Sequence, residues 1–355
     1  MAESFHHSKA DTPSRPLPEA WDIMSMPYWG DNYRLSVAPM MDWTDRHCRF
    51  FHRLISPKAR LYTEMITTGA ILHGDLHRLL DFSEEEHPVA IQLGGSEPDA
   101  LAASARQAAQ WGFDEINLNC GCPSERVQRG AFGACLMREP DLVADCIKAM
   151  QDAVSLPVTV KHRVGVDDQE DYGFVRDFVG KLFQVGCHVF FVHARSAILK
   201  GLSPKENREI PPLRMAVVRQ LKQDFPEAVF IANGGIQTVD QALQLMTPSA
   251  QGPAVDGVMI GRAAYHDPWL LHALQAALFL PASPMPLNRE AILAPLQSYF
   301  ETQRARGVSV RFMTRHWHGL FHGQPGARRW RREICEGALG PQALFDQLVA
   351  EFHPQ

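Results

Sequence analysis

The run Asn119-Cys120-Gly121-Cys122-Pro123 places two thiols one glycine apart, and no other segment of the chain is as chemically suggestive. C-x-C is neither the C-x-x-C of dithiol redox pairs nor the spacing of a zinc ribbon, and no second Cys/His pair completes a metal set. The run therefore reads as one working thiol, with no metal, on a loop that Gly130 and Gly133 leave mobile. Lys161 follows the β-branched Val158-Thr159-Val160; a lysine there can form a Schiff base, clamp a substrate or steady an anionic ring. Gln92 and His193 also follow apolar runs and suit hydrogen bonding to a planar, heteroatom-rich ring. Asn233-Gly234-Gly235 and Gly261-Arg262 leave backbone N–H groups open and add a guanidinium, a combination suited to phosphate.

Such groups can act together only if the fold brings them to one place. From about residue 33 to 275 a short apolar run, a polar or glycine-rich loop and an amphipathic stretch alternate eight times. Strands are predicted at Leu35–Ala38, Leu61–Thr63, Val89–Leu93, Glu115–Asn119, Val158–His162, Val189–His193, Val229–Ala232 and Gly257–Ile260. Helices are predicted at Pro98–Trp111, Asp141–Ala153, Gly173–Gln184, Leu213–Asp224 and Val239–Met246. This is the pattern of an α/β chain, a parallel sheet closed into a (β/α)8 TIM barrel; periodicity alone would also allow an open, doubly wound sheet. In a barrel the loops after the strands converge on one face, so the chemistry-bearing residues would share one site. Residues 1–30 lack periodicity and are expected to form a flexible arm before a barrel over 31–280. Pro281–Pro286 reads as a linker, and 287–355, without strand-like runs, as a smaller all-helical C-terminal domain.

Composition narrows the classes. The 355 residues are 45% hydrophobic and 21% charged, with neither an apolar run of the ~18 residues a membrane helix needs nor a secretory h-region. Seven scattered cysteines, an odd number, suggest reduced thiols and a cytoplasmic protein. The net charge of −5 hides an asymmetry: between Gln303 and Arg332 lie eight arginines and no Asp or Glu. A basic helical module on an acidic barrel suits contact with nucleic-acid phosphates. His316, Trp317, His318 and Phe321 are expected to pack rather than to stack on bases.

The motifs Ala38-Pro39-Met40-Met41-Asp42-Trp43-Thr44-Asp45, Cys122-Pro123, Lys161 with Arg163, His193-Ala194-Arg195, Asn233-Gly234-Gly235-Ile236 and Gly261-Arg262 occur here in one order. In that order they resemble the tRNA-dihydrouridine synthases, over about residues 31 to 335. Gly201–Lys205, Asn207–Leu213 and Gln324–Arg328 resemble the A-type branch of that family. The resemblance implies an FMN enzyme reduced by NADPH, although no dinucleotide fingerprint is present. It implies that Pro39, Met40, Met41, Gln92, Lys161, His193, Asn233, Gly234, Gly235, Gly261 and Arg262 hold FMN. It further implies Cys122 as the acid, Asn119 in contact with a flipped uridine, and uridines 20 and 20a of the tRNA D-loop as targets. Cys120 departs from the family pattern.

Hydride added to uracil C6 moves charge to C5 and O4, and C5 must then take a proton. Thiols of ordinary pKa, ~8.5, are mostly protonated at neutral pH, so Cys122 is expected to work as S–H. The base must leave its stack to reach a barrel interior. Arg311 and Arg315, among Arg304, Arg306, Arg328, Arg329, Arg331 and Arg332, are expected to meet tRNA, with Lys205 and Arg208 on the barrel rim. Some of these arginines should instead pair with carboxylates. No protein partner and no membrane are expected. Two other readings are an FMN barrel for a small pyrimidine, as in dihydroorotate dehydrogenases, and a non-enzymatic RNA-binding protein. The arginine-rich tail speaks against the first, and the strand-end cluster against the second.

Overall fold

Eight parallel strands, β1 (Leu35–Val37), β2 (Leu61–Thr67), β3 (Val89–Gly94), β4 (Glu115–Cys120), β5 (Val158–Arg163), β6 (Val189–His193), β7 (Val229–Asn233) and β8 (Gly257–Ile260), run in the order β1-β8-β7-β6-β5-β4-β3-β2. Closure comes from β1 meeting the start of β2: Val37 N–H donates to Arg60 O and Arg60 N–H to Leu35 O, both at 2.9 Å. The computed structural model describes residues 32–279, 288–337 and 339–352. The N-terminal arm and the Pro281–Pro286 linker expected from the sequence lie outside them.

The helices of seven residues or more are α1 (Arg46–Ile55), α2 (Pro98–Trp111), α3 (Pro140–Ala153), α4 (Tyr172–Gln184), α5 (Met215–Asp224), α6 (Val239–Leu245) and α7 (Trp269–Leu278) in the barrel. They continue as α8 (Leu293–Ala305), α9 (Ala327–Glu336) and α10 (Pro341–Phe352) in the C-terminal part. Proline opens α2 and α3, where a missing N–H costs nothing. The protein is thus a (β/α)8 TIM barrel followed by a helical C-terminal region. Among the described residues no helix is long and apolar enough to cross a membrane.

Period-two alternation decides what faces the barrel axis. In β4, Glu115, Asn117 and Asn119 hydrogen-bond inside the barrel, while Ile116, Leu118 and Cys120 join the apolar layer beneath the helices. Tyr33, Tyr62, Phe191, Ile231 and Met259 form the apolar part of the interior.

Most boundaries fall within one residue of expectation, and two differ by more for identifiable reasons. Strand β2 does not stop at Thr63, because a bulge between Tyr62 and Met65 absorbs the polar Thr63-Glu64 and pairing resumes to Thr67. The Thr63 hydroxyl oxygen accepts the Gln92 N–H at 3.0 Å, standing in for the ladder. Helix α5 starts at Met215 rather than Leu213, since the Arg214 N–H is held by Ala194 O at 2.7 Å.

One apolar cluster runs from β1, α1 and α7 into the C-terminal helices, with Phe50, Phe51, Leu271, Leu296, Phe300, Trp317, Leu320 and Trp330 among its buried members. Each such leucine or phenylalanine contributes about 1.5–3 kcal/mol by leaving water. Trp317 and Phe321 pack as expected, and so does His316.

At the edge of that cluster Asp45 caps α1, accepting from His47 N–H and Cys48 N–H at 3.0 Å each. Its Oδ2 also accepts from Arg315 Nη2 (2.5 Å) and meets His316 Nε2 (3.0 Å), while His316 Nδ1 meets the Tyr265 hydroxyl at 3.1 Å. Burial would raise the Asp45 pKa, but these partners, His316 foremost, hold it well below the usual carboxylate range. A depressed carboxylate stabilises the fold above its unfolded pKa and loses that effect as pH falls toward the folded value. Asp45→Ala is expected to cost about 2 kcal/mol at pH 7, from a lost cap and charge-assisted bonds, discounted for the partial exposure of Arg315. In denaturant titrations the gap to wild type should close as pH drops below about 4; a constant gap would refute the assignment.

Candidate active site

At the C-terminal ends of the strands a cleft of 2130 Å³ opens, more than twice the ~1,000 Å³ upper range of a site for one small molecule. Pro39, Met40 and Met41 line it after β1, Gln92 from β3, Asn119 and Cys122 from β4 and its loop, and Lys161 from β5. His193 lines it from β6, Asn233-Gly234-Gly235 from the end of β7, and Gly261-Arg262 after β8. Arg208 and Arg315 reach the same cleft; Lys205 and Arg311 are exposed and are not part of its lining.

Only one thiol of the pair faces this space. Cys122 is half-buried, with Sγ 3.6 Å from the Ser124 hydroxyl, to which the S–H donates. Cys120 points the other way into the apolar layer, and burial pushes its pKa well up. Hydrogen bonds tie the loop at several points. Asn119 Oδ1 accepts from Gly121 N–H (3.1 Å) and Cys122 N–H (2.9 Å), Cys122 O accepts from Ala134 N–H (2.9 Å), and Gly121 O accepts from Arg163 Nε (2.8 Å). Gly133, at φ +79°, is required by close approach: a Cβ there would sit 2.6 Å from Cys122 O. Its contribution is tight packing of the thiol loop.

Across the cleft, burial and then repulsion from Arg163 push the Lys161 ammonium down to about 7. Its Nζ donates to Asn233 Oδ1 at 3.1 Å, and Asn233 Nδ2 donates in turn to Met259 O at 2.7 Å. His193 is held well below its ordinary value by burial, with Arg163 and Lys161 adding to the effect, so its ring is neutral at pH 7. Gly234 and Gly235 follow at φ +112° and +71°, and Cβ atoms there would meet the His193 ring at 2.8 Å and Leu213 at 2.4 Å. Side chains are therefore excluded and the backbone is left open beside Lys161. Arg262 is engaged by Glu209 (Nη1 to Oε1, 2.6 Å) rather than pointing free.

Several contributors had been given no role from the sequence. Arg163 was noticed only as part of a motif, yet its buried guanidinium joins three loops, reaching Gly121 O at 2.8 Å, Ser196 O at 3.0 Å and Asn207 O at 3.1 Å. Glu64 of β2 accepts the N–H of Asp42, itself at φ +65°, and lines the cleft beside the loop after β1. Phe312 is 57% exposed at the cleft, with the Arg315 guanidinium 4.8 Å from its ring centre; an exposed aromatic inside an arginine run was the available signal. As expected for some of the basic residues, Arg315, Arg329 and Arg332 have carboxylate partners. Among the described residues no group of three His, Cys, Asp or Glu side chains converges as a metal site.

A cleft of this size and charge at the strand ends makes the protein a (β/α)8-barrel enzyme, one whose cationic loops suit an anionic ligand. Within that class the chain belongs to the dihydrouridine synthase family, since the family model described as Dihydrouridine synthase (Dus) matches residues 36–349. It is 57% identical to a protein of Xanthomonas axonopodis pv. citri over 88% of this chain and 91% of the relative. It is 54% identical to one of Pseudomonas putida (89% and 93% covered) and 50% identical to one of Yersinia pestis (96% and 93%). All three relatives bear the name tRNA-dihydrouridine(20/20a) synthase.

Proposed function

We propose that the cleft holds FMN, that NADPH is the reductant, and that the protein reduces uridine in the tRNA D-loop, at positions 20 and 20a, to 5,6-dihydrouridine. The observation that carries this reading is one cleft shared by the Cys122 thiol, the half-buried Lys161 and the Gly234-Gly235 backbone. Relatives named for tRNA and for these two positions support the substrate. The residues present fit a flavin mononucleotide: the glycine pair admits no side chain, Lys161 offers a cation for an anionic ring, Arg262 offers one for phosphate in exchange for its Glu209 partner, and Gln92 offers an amide edge. Pro39, Met40, Met41, His193, Asn233 and Gly261 complete the wall.

Bound there, FMN supplies the hydride that it takes from NADPH. The other steps belong to the chain. Lys161 regains its proton beside an anion and holds it in place. Cys122 gives its S–H proton to uracil C5 as the C5=C6 π bond opens and C6 gains hydride; the thiolate then takes a proton from water. Uridine, NADPH and one proton thus become dihydrouridine and NADP⁺. Asn119 faces the extruded base. Residues 287–355 act as the tRNA-binding domain through Arg311 and Arg315, with Lys205 and Arg208 on the rim, and the reaction needs no protein partner. All seven cysteines are free thiols, in keeping with a cytosolic setting.

The test is to incubate the purified protein with NADPH and unmodified tRNA and to map products by mass spectrometry. Dihydrouridine at positions 20 and 20a, a yellow protein and steeply salt-dependent tRNA binding are expected. Flavin that NADPH reduces but that yields no dihydrouridine would overturn the tRNA reading in favour of a small pyrimidine.

A further inference from the structure

The middle of a (β/α)8 barrel is usually filled by branched apolar side chains, yet here Glu115, Thr159, Asn117, Gln92 and Asn119 occupy it in a connected row. Strand register brings them together: Gln92 lies opposite Asn117, and Asn117 opposite Thr159. At the buried end Glu115 faces Arg60 Nη1 at 3.2 Å and accepts the Tyr62 hydroxyl at 2.8 Å.

Polarity propagates from that carboxylate. Burial pushes the Glu115 pKa up, but the Arg60 guanidinium beside it opposes this and favours the ionised form. An ionised carboxylate only accepts, so Thr159 donates its hydroxyl hydrogen to Glu115 Oε1 (2.6 Å) and offers lone pairs to Asn117 Nδ2 (2.8 Å). Asn117 Oδ1 is then the acceptor for Gln92 Nε2 (2.7 Å), and Gln92 Oε1 the acceptor for Asn119 Nδ2 (2.7 Å). Asn119 Oδ1 is left for the Gly121 and Cys122 N–H groups. Turning over any one amide sets donor against donor or acceptor against acceptor, and in a dry interior neither finds water instead.

We propose that Asn117 and Thr159 are positioning residues, which set the amide orientation of Gln92 and Asn119 through this one-way chain and so seat the Cys122 thiol. Neither is part of the cleft lining, so both act only through the residues they hold. The proposal rests on the flavin and uridine reading above.

Thr159→Val keeps the shape and removes the hydroxyl. It should lower kcat about 10–100-fold with KM for tRNA within about twofold of wild type, since the seat of the acid moves while the RNA surface does not. The visible absorption of bound flavin should shift as the Gln92 amide loses its fixed orientation, and Thr159→Ser should restore both spectrum and rate. Asn117→Leu carries the same test at the next link should Thr159→Val fail to fold. Wild-type kcat with an unchanged spectrum in either folded variant overturns the proposal, as does a Thr159→Ser variant as impaired as the valine one. Wild-type protein that binds no flavin or makes no dihydrouridine sinks the underlying reading instead; active wild type with unaffected variants sinks only this one.

Discussion

Cys122→Ala is expected to lower kcat by about 10²–10⁴-fold, the usual contribution of a positioned general acid, with flavin content and tRNA affinity near wild type. In the proposed reaction the thiol is the proton donor that the β4 loop presents to the cleft, and the loop backbone is held by Asn119, Ala134 and Arg163 rather than by the Cys122 side chain. Removing Sγ therefore removes chemistry and leaves the loop in place. Rapid mixing of the NADPH-reduced protein with tRNA separates the steps. In the variant, flavin reduction by NADPH should proceed at the normal rate and reoxidation by tRNA should stall. Reoxidation at the wild-type rate would show that another group supplies the proton. Cys120 cannot substitute, since strand alternation buries it behind the sheet.

Lys161→Met should weaken FMN binding by roughly 10–100-fold, the loss of one strong charge-assisted contact in a desolvated site. A pH signature separates this role from simple packing. With its pKa pushed down to about 7, Lys161 in the free protein is largely charged below pH 7 and neutral above it. An anion beside it favours the charged form, so binding above pH 7 must take up a proton, and affinity should fall as pH rises from 7. The limit is tenfold per pH unit for one proton. In Lys161→Met that slope should flatten, as read by titrating flavin fluorescence on apoprotein; an unchanged slope would assign the proton elsewhere. Apoprotein stability should move the opposite way. A lysine depressed in the fold disfavours folding below its folded pKa, and this penalty is relieved between pH 7 and the unfolded value of ~10.4.

Most of the architecture was legible because it is local. Most strands are short apolar runs, each of α2 and α3 opens on proline, and chemistry-bearing residues recur at the same place in nearly every repeat. The residues expected to hold the cofactor, together with Asn119, Cys122 and Arg208, do line one cleft, whereas Cys120 and Lys205 do not. The missing parts depend on partners far apart in the chain. The bulge in β2 is invisible because Thr63-Glu64 looks like the end of an alternating run. Asp45 and Arg315 meet across 270 positions, and no periodicity announces such a pair. The row from Glu115 to Asn119 reads in the sequence only as polar residues in a strand, and its meaning appears when β3 and β5 supply Gln92 and Thr159. The close approach that requires glycine at position 133 depends on Val127 and Cys122 O and is not announced by the sequence.

The apolar cluster shared by α1, α7 and the C-terminal helices has a geometric corollary. On the proposed tRNA reading, a module hung on a tether could search for RNA at many angles, whereas one fused through a common core would work as a caliper with fixed jaws. The span from the arginine-bearing helices to the bottom of the barrel is then a constant of the fold. Which nucleotide arrives at the reactive centre would be chosen by measured distance from a gripped backbone as much as by the identity of its base.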